Sequence, residues 1–362
     1  MRKLLRKGVA MMLIGLPIAA AHASPPAAPS AEIGSGSAAS AALPQTLWLA
    51  YKDHFLSVDG RIIDDANGGI SHSEGQGYGM LLALAAGDDR SFARIWDWTS
   101  KQLYRRSDGL ASWRWSPDAT PHITDTNNAS DGDILIAWAL ADAAERWNNP
   151  AYRAAARRIA LSIGRSSTIK TRYGLTLLPA ASGFRAADMD DGPVVNPSYW
   201  VFPAFPRLKA VAPEVDWAAI AASGLAILDA ARFGPLHLPT DWVSLKAERP
   251  TPAKAFKPVF GYNALRIPLY LAWSGENADR IAPFVRVWAR AADGHPSVIN
   301  AMTGRSVEPF YDAGYAAVPI LVSCAFNGSG RGPSAVPLEH YYSATLYLLT
   351  FMAARHRALP CS

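Results

Sequence analysis

No apolar run in this 362-residue chain reaches the roughly 18 residues that a bilayer span needs, so a protein held by transmembrane helices is excluded. Cysteine is nearly absent. Cys324 and Cys361 are able to pair in an oxidising compartment, but two cysteines do not build a disulfide scaffold. No CxxC or HExxH spacing occurs and the eight histidines are scattered, so neither a metal nor another cofactor is expected. A strong excess of one charge is also missing. The count of 35 basic against 30 acidic residues looks basic, but Arg2, Lys3, Arg6 and Lys7 all lie in the first few positions. Removing these four from the 35 leaves 31 against 30, which takes away the main support for a nucleic-acid partner.

What is present begins with that basic start. MRKLLRKG, the short apolar run VAMMLIGLPIAA and the small-x-small site Ala21-His22-Ala23 read as a secretory signal peptide over residues 1–23. Residues 24–43 are Ala, Ser, Pro and Gly with almost no large apolar side chain, the composition of a disordered linker. Residues 44–362 contain no second such stretch and read as one large domain, expected to act as a monomer in the periplasm or outside the cell. Helical periodicity dominates it, with Ser198–Val211 and Tyr262–Trp273 among the expected helices and YGLTLLP at 173–179 the best strand candidate. Glu74, Asp131, Tyr199 and Asn263 sit in polar, aromatic loops before helices at intervals of roughly 60 residues, about one helical hairpin and its loop. The expectation is an all-α toroid of helical hairpins with a groove across one end.

Those loops carry the chemistry. Ser71-x-x-Glu74 and Ser130-x-x-Asp133 fit capping boxes, and capping is the plain reading of each alone. Capping does not explain Gly75, Gly77 and Gly79 in SHSEGQGYGM, which cost helix stability and suggest that a ligand approaches the backbone. Tyr78, Trp113, Trp115, Tyr199, Tyr262 and Tyr311 lie in or beside the same loops. Flat rings stack on the apolar faces of sugars, while Asp133, Asn263 and Arg266 offer hydrogen bonds to hydroxyls. Carboxylates among such aromatics, in an exported chain, point to glycan cleavage, where one acid protonates the leaving oxygen and a second carboxylate acts on the far side.

SEGQGYGM at 73–80, ASDGDILIAWALADAAERW at 129–147, NPSYW and YNALRIPLYLAW resemble glycoside hydrolase family 8, in its bacterial cellulase branch. The similarity runs over nearly all of residues 45–355. It implies an (α/α)6 barrel, an inverting endo-β-1,4-glucanase acting on cellulose or cello-oligosaccharides, and an association with the cellulose synthase machinery. It makes Glu74 the general acid and Asp131 a second catalytic carboxylate at the cleavage point. It makes Arg266 and Tyr199 groups that bind sugar or position water. The sequence departs from the family at Asn263, where the best-known members carry an aspartate base. Three readings stand: another base among Asp190, Asp191 and Asp131; a glycan binder with weak or lost catalysis; or an introduced substitution. Chitosan and xylan are the alternative substrates.

Overall fold

The structure is a computed structural model describing residues 43–289, 295–332, 335 and 337–361. The expected signal peptide and linker lie outside these residues except for Leu43, which is buried and donates its backbone N–H to Ala85 O at 3.1 Å. Eleven α-helices occur among the described residues. They are α1 Gln45–Phe55, α2 Ser73–Ala86, α3 Asp89–Gln102, α4 Ser130–Arg146, α5 Pro150–Ser166, α6 Phe205–Val211, α7 Trp217–Ala230, α8 Arg266–Ser274, α9 Ala278–Trp288, α10 Ala317–Asn327 and α11 Tyr341–His356.

They form two concentric rings. Helices α2, α4, α6, α8, α10 and α11 form the inner ring, with α6 and α8 joined through the 3-10 turn Phe202–Ala204 and closure made by the contact of α11 with α2, while α1, α3, α5, α7 and α9 pack outside them. Side-chain pattern sorts the rings. Helix α3 buries Phe92, Ile95 and Trp98 at helical spacing and exposes the opposite face, as an outer helix should. Helices α2, α4, α8 and α11 are buried on nearly every side, and a helix without a polar stripe stays folded only inside. This is the expected all-α barrel, short of one outer helix, because the described part of 328–340 contributes none.

The glycines of α2 belong to this packing and not to a ligand. A Cβ at Gly77 would stand 2.6 Å from Leu135 Cβ of α4, and one at Gly79 would stand 2.5 Å from Ile62 Cδ1. The missing side chain of Gly77 lets two inner helices meet closely and that of Gly79 admits Ile62 from the loop before α2, which corrects the expectation that these two bring sugar to the backbone.

Two expected helices start late. Pro197, Pro203 and Pro206 break 198–211 into two 3-10 turns before α6, since proline lacks the donor a helix needs. The helix expected from Tyr262 begins only at Arg266, because the Gly261 and Ala264 amides donate to Asp241 Oδ1 at 2.9 and 2.8 Å. The strand expected at 173–179 is Gly174–Leu177, paired with Thr168–Thr171. Further strands of two to four residues stitch the loops at one mouth of the barrel. Val194–Val195 pairs with Val243–Ser244, which pairs with Thr251–Pro252. Val259–Phe260 pairs with Ser297–Asn300, which pairs with Ser306–Pro309. Cys324 and Cys361 form a disulfide, tying the end of the chain to α10.

Candidate active site

Helix α2 opens the site. Its cap is His72, whose Nδ1 accepts from Gly75 N at 3.0 Å, while Ser71 turns away and donates to Ile62 O. The capping box expected from Ser71 to Glu74 therefore does not form, and Glu74 is left to reach across the barrel. It meets Arg266, the first residue of α8, which is only 1% exposed. The same guanidinium nitrogen, Nη1, donates to Asp131 Oδ2 at 2.9 Å, so α2, α4 and α8 converge on one cation. Its other nitrogen, Nη2, donates to Ser198 Oγ at 3.0 Å and to Asn263 Oδ1 at 3.1 Å.

The surroundings fix this cluster. Tyr199 lies with its ring centre 5.6 Å from the guanidinium carbon, and Tyr78 OH stands 3.4 Å from Nη1 and 2.5 Å from Tyr270 OH. Burial and then the neighbouring Glu74 charge push the Asp131 carboxyl up to about 7, against Arg266, which lowers it. Asp131 is sealed, at 1% side-chain exposure, whereas Glu74 keeps 13% and faces a cavity of about 320 Å³. Glu74 is the member placed to hand a proton to a ligand.

The cavity walls differ from the sequence expectation. Glu74, Asn263, Arg266 and Tyr262 are there, joined by Tyr342, Trp242 and Phe256. Trp242 is sandwiched between Phe184 and Phe256, with centroid separations of 5.5 and 4.4 Å and nearly parallel planes. The outer ring, Phe256, is partly exposed and lines the cavity.

Six residues expected in the groove do not line the cavity. Tyr78 is wholly buried beneath Arg266. Asp133 is wholly buried too, accepting from Ala111 N at 2.9 Å and Asn128 Nδ2 at 3.0 Å, which anchors the 111–128 loop to α4 and forms no capping box. Trp113 donates Nε1 to Asp125 at 2.8 Å and is 6% exposed. Trp115 stacks on His122 at 4.3 Å and has the Arg61 guanidinium 4.8 Å from its ring centre, so its π faces are already engaged. Tyr311 is 66% exposed but lies outside the cavity wall. Tyr199 acts on Arg266 from behind the wall.

Asn263 Oδ1 is saturated by Asn196 Nδ2 at 3.0 Å and by Arg266, so it has no acceptor to offer a water. Asp190 and Asp191, expected as substitutes, are not on the cavity wall, and Asp191 Oδ2 accepts from Lys254 N at 2.8 Å. A carboxylate the sequence reading passed over, Asp241, does line the cavity beside Asn263. Its signal was a further polar and aromatic loop, Pro239-Thr240-Asp241-Trp242, lying outside the spacing of the other four.

The model of glycosyl hydrolases family 8 matches residues 32–356. The chain belongs to this family. It is 38% identical to an endoglucanase of Cellulomonas uda across 75% of each chain. It is 35% identical to a probable endoglucanase of Novacetimonas hansenii, over 84% of this chain and 89% of the relative. Among solved structures, the family 8 endoglucanase Cel10 of Klebsiella pneumoniae superposes with a TM-score of 0.78 at 36% identity, over 86% of this chain and 99% of its own. The endo-β-1,4-glucanase CMCax of Acetobacter xylinum gives 0.78 at 34% identity, over 87% and 98%. As a family 8 member the chain is a glycoside hydrolase. No group of residues suited to hold a metal ion occurs among the described residues.

Proposed function

We propose that this family 8 chain is an exported endo-β-1,4-glucanase that cuts internal bonds of a cellulose-like chain with inversion. The observation that carries the reading is the Glu74–Arg266–Asp131 cluster, which presents one partly exposed acid to an aromatic-walled cavity. Glu74 protonates the leaving glycosidic oxygen. Asp131 holds Arg266 in place from behind, and Arg266, Asn263 and Tyr199 fix the geometry around the cleaved bond. The endoglucanase names of the relatives support the substrate class. The leader-like N-terminus and the Cys324–Cys361 pair support export, since disulfides persist in oxidising compartments. An association with the cellulose synthase machinery follows from the family resemblance and belongs to the same proposal.

Reducing-end release from soluble carboxymethyl-cellulose tests it. Glu74→Gln is expected to lower the rate by about 10²–10⁴-fold, the usual worth of a positioned acid, while retention on insoluble cellulose survives. An unchanged rate would remove Glu74 from the acid role. Retention without any hydrolysis by the unmodified chain would favour a glycan-binding protein, for which the amide at Asn263 is the supporting observation.

A further inference from the structure

Hydrolysis with inversion needs a group that takes a proton from the attacking water, and Asn263 has none to accept with. We propose that Asp241 is that general base, an assignment that rests on the glucanase reading above. Four carboxylates line the cavity: Asp64, Glu74, Asp241 and Glu308. Asp64 is held by His72 Nε2 at 3.3 Å on the same side as Glu74, and Glu308 stands in the outermost strand of the hairpin 297–309. Asp131 is sealed behind Arg266.

Asp241 differs from each of them. Both of its backbone hydrogen bonds, from Gly261 N and Ala264 N, fall on Oδ1, which aims the carboxyl and keeps Oδ2 clear of backbone amides, with the Asn263 side chain as a further neighbour. The path from Glu74 to Asp241 runs through the Arg266 guanidinium and the Asn263 amide, so the two carboxyls are held apart by intervening side chains. Inverting enzymes keep their carboxyl pair about 6.5–9.5 Å apart to seat a water, whereas carboxyls in contact would leave it no room. Burial pushes the Asp241 carboxyl up to about 6, against the Ala264 and Gly261 amides, Arg266 and Asn263, which lower it. That is near the working range of a base that is ionised at neutral pH yet still attracts a proton.

The step balances within the site. The water oxygen bonds to the anomeric carbon and its proton passes to Asp241. The bond from that carbon to the leaving oxygen breaks, its electron pair stays on the oxygen, and the oxygen takes the Glu74 proton. The new reducing end carries the opposite anomeric configuration, and exchange with solvent returns both carboxyls to their starting states.

The test uses the full chain on cello-oligosaccharides. Asp241→Asn keeps an oxygen for the Gly261 and Ala264 amides, so the fold is retained, and kcat is expected to fall about 10²–10⁴-fold with KM little changed. Azide, which needs no base, is expected to restore turnover in Asp241→Ala and to yield a glycosyl azide of inverted configuration. Adding Asn263→Asp to Asp241→Asn is expected to return part of the lost rate, because a carboxylate again adjoins the water. Near-normal kcat in Asp241→Asn overturns the assignment. So does a loss that neither azide nor Asn263→Asp relieves in a variant with native circular dichroism, which would make Asp241 a brace for the 261–264 turn. An unmodified chain that releases no reducing ends sinks the glucanase reading itself, and the base with it.

Discussion

The two walls of the site are built in opposite ways. On one side Glu74, Asp131 and Arg266 stand on the first turns of three inner helices and share their charges in a buried cluster. On the other, Asp241, Trp242, Phe256 and Tyr262 stand on the long connection between α7 and α8, pinned by strands of two residues and by hydrogen bonds to backbone amides. A helix fixes a side chain through the packing of its whole length, so the first wall tolerates no change of backbone. A loop fixes it through a few local bonds, so the second wall is where sequence can vary and specificity can be tuned.

Breaking the helical wall should cost most. Arg266→Met leaves the buried acids Glu74 and Asp131 without their cation and is expected to remove about 3–5 kcal/mol of stability at neutral pH. Because protonation neutralises both acids, the deficit should narrow as pH falls, which denaturant melts at two pH values would show. A deficit equal at both pH values would mean that Arg266 matters for its bulk.

On the loop wall, the expected effect falls on binding. Phe256→Ala is expected to weaken cello-oligosaccharide affinity by about 1 kcal/mol, the scale of one ring contact, with Trp115→Ala near zero because its faces are occupied. Calorimetric titration of both variants decides it, and the reverse ranking would move the groove to the Trp115 side.

The smallest expected effect concerns Asp133, which borders neither wall. Burial pushes its carboxyl up to about 7, against the Ala111 and Asn128 hydrogen bonds. The folded chain therefore holds a proton that the unfolded chain releases near about 4. The sign follows: this contribution to stability is full below about pH 4 and is lost as pH rises through 7. Asp133→Asn should flatten the fall of stability across that window, measured as midpoint against pH. An unchanged slope would assign it to Asp131 and Asp241.

Legibility in the sequence followed the same division. Glu74 and Asp131 stood out as loop acids because a long apolar pattern follows each, and such patterns survive without knowledge of neighbours, whereas Arg266 and the roles of all three came from the family resemblance. Trp113 and Trp115 misled, because a loop aromatic beside polar residues looks the same whether its ring meets a sugar or, as here, Asp125, His122 and Arg61. The glycines of SHSEGQGYGM misled for a related reason: a sequence shows that the backbone is approached closely but not by what, and here it is Leu135 and Ile62.

The chain by itself determined the helices and set acidic residues at the starts of two of them, since 3.6-residue periodicity and residue chemistry are local properties. Only the tertiary structure decided which acids share Arg266, which are sealed away, and that Asp241 faces the cavity beside Asn263. Those pairings join residues as many as 192 positions apart, and only the closure of the barrel brings them within a hydrogen bond.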